Sequence, residues 1–133
     1  MIRVFEPRVT FSDTYSVIKT LINNNISGTS PTVGRFEKSL ANKFERQHVI
    51  AVSNGSTALD LAFESLNLKK GDEVIVPSFT IISCLAAIIR TGATPIFCDV
   101  DSQSWNLTLE NITTKFSAKT KAVLIVHLYG LAG

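Results

Sequence analysis

An apolar run from Val49 to Val52 turns through Ser53-Asn54-Gly55-Ser56-Thr57 and continues as an amphipathic segment to Leu68. Ala58, Leu59, Ala62, Phe63 and Leu66 share one helical face, and Asp60 and Glu64 lie on another. The pattern predicts a strand, a small polar turn and a helix start. Such a junction leaves backbone N–H groups pointing outward, and the helix dipole favours negative charge there. Gly55 would let a phosphate approach the backbone closely. Ser, Asn and Thr before a helix are also ordinary caps, so an anion cup and a plain capped helix both fit these residues. The chain contains neither GxGxxG nor GxxxxGK[ST], which sets aside a dinucleotide fingerprint and a P-loop.

The chain has 133 residues, 45% of them hydrophobic, with mean hydropathy +0.24, enough for one folded domain with a core. Net charge is +2. Lys69-Lys70 and Lys119–Lys121 are short basic spots without interleaved aromatics, so no nucleic-acid partner is expected. Cys84 and Cys98 lack ligand spacing and sit among apolar residues. They read as buried free thiols, with no metal site, and suit a reducing cytoplasm. Residues 1–8 show no secretory pattern. The longest apolar stretch, Phe79–Ile89, falls short of the roughly 20 residues of a membrane span. It reads instead as a helix buried on most sides.

Taken in order, residues 1–11 look extended. A helix follows from a Ser12 or Asp13 cap to about Asn23, with Val17, Ile18, Leu21 and Ile22 as its stripe. Residues 26–34, with Gly28, Pro31 and Gly34, read as a loop. Arg35–Arg46 reads as a helix packing Phe36, Leu40 and Phe44 on the core. After the opening stretch come a turn at Leu68–Asp72, a strand at Glu73–Val76, the apolar helix from Ser78 or Thr80 to Arg90, and a stop at Gly92. Thr94–Val100, Thr108–Phe116 and Lys121–His127 add a strand, a helix and a strand. This alternation predicts an α/β fold: a mostly parallel sheet with right-handed crossovers and helices on both faces. Its ligand edge lies beyond the strand carboxyl ends. There the chain collects Ser53–Thr57, Pro77–Ile81, Asp99–Asp101 and His127–Gly130.

Five segments, ISGTSP with FEKSLANKF, AVSNGSTALDLAF, GDEVIVPSFT, GATPIFCDVD and KAVLIVHLYG, together resemble the N-terminal part of the DegT-type pyridoxal-phosphate sugar aminotransferases. The resemblance covers nearly the whole chain. It implies a partial large domain of the aspartate-aminotransferase (type I) fold, with residues 1–34 as an N-terminal arm and 35–133 as an incomplete cofactor-binding domain. It also implies that Gly55 and the backbone amides of Ser56 and Thr57 hold the cofactor phosphate. Ser56 stands where the family usually carries Thr. Ile81 occupies the position of an aromatic that stacks on the pyridine ring; an aliphatic side chain there covers the ring without aromatic stacking, or is simply core. Asp99 as a turn cap, His127 as a buried hydrogen-bonded ring, and Trp105 and Tyr129 as packing residues are the expected roles at that edge.

The resemblance implies an enzyme that moves an amino group from an amino acid, glutamate or similar, to a nucleotide-linked keto sugar, as a homodimer in the cytoplasm. It places the Schiff-base lysine and the acid that binds the pyridine nitrogen beyond Gly133, so no catalytic residue is expected within this chain, which by itself should not catalyse. Two other readings stand beside it. One is a sister dehydratase with histidine in place of the lysine. The other is a non-catalytic regulatory or nucleotide-binding α/β protein.

Overall fold

The structure is a computed structural model describing residues 6–133. The part of the expected extended start that falls on residues 1–5 lies outside the described residues. The chain forms two compact units, Met1–Ala51 and Val52–Gly133.

In the first unit, α1 spans Phe11–Ile22 and α2 spans Pro31–Lys43. The α1 cap is Thr10, not Ser12 or Asp13. Its hydroxyl accepts from Asp13 N at 3.3 Å, while Asp13 Oδ2 accepts from Thr10 N at 2.7 Å, a reciprocal capping box. The Thr10 hydroxyl, which also donates to Asp13 Oδ2 at 2.7 Å, and the Thr10 N–H together hold the Asp13 carboxyl below its ordinary pKa. The second helix begins four residues ahead of expectation and takes in residues 31–34, read above as loop. Pro31 explains this: at the first helical position its fixed φ suits the helix and its missing N–H costs nothing. The expected core stripes remain exposed, with Ile18, Ile22, Phe36 and Phe44 all open to solvent. Glu37 Oε1 accepts from Ala51 N at 2.8 Å, tying α2 to the end of the unit.

In the second unit, α3 spans Gly55–Ser65, β1 Glu73–Pro77, α4 Ile82–Arg90, β2 Thr94–Cys98, α5 Leu109–Thr113 and β3 Thr120–Val123. The sheet is parallel with order β2-β1-β3. β1 is central because Val74, Ile75 and Val76 are apolar without interruption, as a strand covered on both faces must be. All three have 0% exposure. Val74 and Val76 pack with Phe63 of α3 and with Cys84, Ala87 and Ile88 of α4. Ile75 points the other way, to Cys98, Leu107 and, partly buried, Ile112 of α5. Helices therefore cover both faces, as the alternation implied. Both cysteines are buried free thiols, and burial raises the Cys98 pKa.

Val49–Val52 does not form the expected strand. It finds no ladder partner among the described residues, and Ile50 stays exposed. Apolar pattern alone cannot supply the neighbouring backbone that a strand requires. The α4 segment also departs from expectation. It starts at Ile82, and only one side is buried; Ile82 and Ile89 face solvent. Gly92, at φ +87°, ends it as the left-handed residue after the cap. Arg90 of α4 pairs with Asp60 of α3 at 2.5 Å; both side chains are solvent-accessible, so the pair adds little to stability.

Truncating Ile75 to Ala should cost about 2–5 kcal/mol in denaturant unfolding, because it opens a cavity between β1 and α5. Asp60→Asn should cost less than about 1 kcal/mol in the same assay. Equal costs would show that the core does not rest on β1.

Candidate functional site

Asn54 caps α3. Its Oδ1 accepts from Thr57 N at 2.9 Å and from the Thr57 hydroxyl at 3.2 Å, and its Nδ2 donates to Ser53 Oγ at 3.2 Å. The Thr57 amide, expected to meet an anion, is thus taken by the cap. Asn at the cap position reaches the third helical amide, and that is Thr57. The Gly55 and Ser56 amides are the first two of the helix. They have no partner within α3, and no side-chain acceptor meets them among the described residues.

The second helix start lies alongside. α4 is preceded by Ile81, whose side chain makes no cap hydrogen bond. Its opening amides, at Ile82 and Ser83, are therefore also unpaired by any side chain. Ser56 Oγ and Ser83 Oγ are hydrogen bonded at 2.9 Å, so the second residues of the two helices meet. Each helix start carries a partial positive charge of roughly half a unit, and here two are brought together. Apart from its chain neighbours and its own helix backbone, no heavy atom lies within 4 Å of the position a Gly55 Cβ would take, which leaves the cradle open at its backbone. Ser53, Asn54, Gly55, Ser56 and Thr57 are all exposed. This arrangement fits a phosphate monoester: a ring of N–H and O–H donors with a favourable field and room for close approach.

Ile81 is 67% exposed, so it is not a core residue. It flanks the cup with an apolar surface. Ser83 was missed by sequence reasoning, and the signal was weak: one hydroxyl in an otherwise apolar helix start.

Beyond the strand ends lies an aromatic group. Phe79 and Trp105 stand edge to face with ring centroids 5.7 Å apart, and Trp105 and Tyr129 are tilted at 6.4 Å. Phe79, Val100 and Trp105 line an apolar hollow of about 440 Å³. The rings pack against one another, yet Phe79 and Trp105 stay close to half exposed and Tyr129 78% exposed. Trp105 and Tyr129 sit at φ +58° and +51°, a left-handed conformation costing about 1–3 kcal/mol for such residues.

Two polar residues hold that backbone. Asp101 Oδ2 accepts from Gln103 N at 3.1 Å, Ser104 N at 2.7 Å and Ser104 Oγ at 2.9 Å, and Trp105 N donates to Asp101 O at 2.8 Å. Asn106, 3% exposed, donates to Leu131 O at 3.1 Å and accepts from Leu128 N at 3.2 Å. It staples the segment carrying Tyr129 to the loop carrying Trp105. The turn expected at Asp99 therefore belongs to Asp101, and the Asp-x-x-Ser spacing of residues 101–104 was the legible signal. At Asp99 it is the backbone carbonyl that is engaged, accepting from Asn111 Nδ2 at 2.9 Å. His127 is hydrogen bonded, its Nδ1 accepting from Gly133 N at 3.1 Å, but its ring is exposed rather than buried. No His, Cys, Asp and Glu cluster suited to a metal occurs among the described residues.

Against known proteins, the profile of the DegT/DnrJ/EryC1/StrS aminotransferase family matches residues 10–133. GDP-perosamine synthase of Escherichia coli O157:H7 is 41% identical over 129 residues, covering 97% of this chain and 35% of that protein. The chain thus spans about a third of that relative's length. An aminotransferase from Psychrobacter cryohalolentis superposes with TM-score 0.86 at 36% identity, over 94% of this chain and 32% of that one. NtdA from Bacillus subtilis, solved with bound cofactor PMP, superposes at 0.83 with 30% identity, over 92% and 29%.

Asn54→Ala should lower stability by about 1 kcal/mol in thermal or denaturant unfolding, the usual worth of a helix cap. Acid should act on the Trp105 loop in a defined direction. Hydrogen bonds from Ser104 and Gln103 hold the Asp101 carboxyl below its ordinary value of 3.8. Its contribution is then present above the unfolded value and is lost as pH falls through the lower folded value. Trp105 emission should stay constant from about pH 7 to 5 and change only below the ordinary carboxylate range. Asp101→Asn should abolish that acid transition.

Proposed function

The chain belongs to the DegT/DnrJ/EryC1/StrS aminotransferase family, and from that premise we propose that it forms the phosphate-holding part of a pyridoxal-phosphate sugar aminotransferase. The observation that carries this reading is the meeting of two helix starts at Ser56 and Ser83, with the Gly55 and Ser56 amides unpaired beside them. The amides of Gly55 and Ser56 and the hydroxyls of Ser56 and Ser83 would hold the cofactor phosphate. Thr57 would contribute through its hydroxyl, since its amide serves the cap. Ile81 would cover the ring by apolar contact. When bound, the cofactor supplies an electron sink that makes a proton on the adjoining substrate carbon removable.

In this reading the chain binds and orients, and the proton-transferring lysine belongs to sequence outside these residues. The amino donor is an amino acid such as glutamate, and the acceptor is a keto sugar on a nucleotide. The similarity to GDP-perosamine synthase supports that substrate class. A homodimer in the cytoplasm belongs to the same reading. The apolar outer side of α4, with Ile82 and Ile89 exposed, supports an assembly. No helix of the described residues is long and apolar enough to cross a membrane.

The test is equilibrium dialysis of the 133-residue chain with pyridoxal phosphate and with pyridoxal. Retention of the phosphorylated form alone, reversed by inorganic phosphate, is expected. Equal retention of both, or of neither, refutes the phosphate cup. Gly55→Ala should leave stability unchanged or raise it by up to about 1 kcal/mol, because alanine suits a helix better. It should also weaken pyridoxal-phosphate binding about tenfold, equivalent to about 1.4 kcal/mol, because its methyl fills the cradle. A protein carrying this chain at the full length of its relatives should transfer the amino group of glutamate to a keto-sugar nucleotide in a coupled assay.

A further inference from the structure

We propose that Phe79, Trp105 and Tyr129 form a stacking wall for the base of a nucleotide. The inference deepens the reading above and rests on it for the class of ligand.

Three observations carry it. The first is topology. Phe79 follows β1, Trp105 follows β2 and Tyr129 follows β3. Each of the three adjacent parallel strands therefore delivers one aromatic ring to the same carboxyl edge. The second is the hollow. About 440 Å³ lined by Phe79, Val100 and Trp105 lies within the size range of small-molecule pockets, and its walls offer ring faces and no charge. Residues of this kind recognise a flat heteroaromatic group whatever its edge pattern. The third is the backbone. Trp105 and Tyr129 are both held at positive φ, and the buried Asn106 ties their two segments together. Packing aromatics would gain more by turning inward. Here the hydrogen bonds of Asp101 and Asn106 hold the rings in place while Trp105 stays 47% and Tyr129 78% exposed. Strain of this sort concentrates where a ligand is met.

The anion cup, occupied by the cofactor phosphate in the reading above, lies at the neighbouring α3 and α4 starts and is not part of the hollow. Ile81, next to the cup, lies two residues from Phe79 on the same β1–α4 connection. A base against the aromatic wall is a separate contact from the cofactor phosphate on Gly55 and Ser56. The wall sets no preference among bases, since it presents only faces.

Trp105 is the only tryptophan of the chain, so its fluorescence reports this wall directly. Titration of the 133-residue chain with guanosine 5′-monophosphate or uridine 5′-monophosphate should quench Trp105 saturably. Inorganic phosphate at the same concentration should not. Phe79→Ala should weaken the nucleotide about tenfold, the typical loss of one stacking partner, and Tyr129→Ala should weaken it in the same sense. Absence of saturable quenching, equal quenching by phosphate, or unchanged affinity in Phe79→Ala would overturn the proposal. Quenching by pyridoxal phosphate that neither nucleotide competes with would assign the wall to the cofactor and overturn it as well. Nucleotide quenching without retention of pyridoxal phosphate would instead reject the cofactor reading and leave the wall standing.

Discussion

The burial of β1 on both faces is the constraint on which the second unit depends. Val74 and Val76 anchor α3 and α4, while Ile75 anchors the β2 exit and α5. Because the neighbours on both sides run parallel to β1, all three chain exits open on one edge. Each site residue is then held at a strand exit or at a helix start packed on the sheet. The loops need no long reach to converge.

The helix start at Asn54 shows a competition between stability and binding. An Asn cap uses its side chain to satisfy the third amide. The donors left for an anion are the two before it, plus hydroxyls. α4 has the opposite arrangement. Isoleucine at its cap position satisfies no amide, which leaves that helix less well terminated and its field less screened. Pairing a capped start with an uncapped one, through Ser56 and Ser83, keeps the junction folded while retaining donors for a ligand.

A similar division appears at the aromatic edge. The side chains of Asp101 and Asn106 bind loop backbone, at Gln103 and Ser104 and at Leu128 and Leu131, and the three rings they support are partly exposed. Polar groups inside the loop fix its shape, and apolar groups outside carry the contact surface. This inverts the usual burial order and accounts for the left-handed backbone at two bulky residues.

Much of this was legible before any coordinates. The uninterrupted run Val74–Val76 identified a strand covered on two faces, and the Ser53–Thr57 turn identified a helix start with donors. The motif order identified the family resemblance. The misreadings have a common form. Val49–Val52 has strand composition, but a strand exists only beside another backbone. The stripes of α1 and α2 have core periodicity, but periodicity does not say whether anything covers them. Asp99 and Asp101 are both plausible turn formers, and only the position of Ser104 chose between them. The sequence by itself determined which segments are apolar, which turns carry donors and where helices must start, because these follow from local chain chemistry. Tertiary structure alone decided that Ser56 would meet Ser83 and that Phe79, Trp105 and Tyr129 would share an edge. Those meetings link residues far apart in the chain, and they arise only when parallel strands are laid side by side around β1.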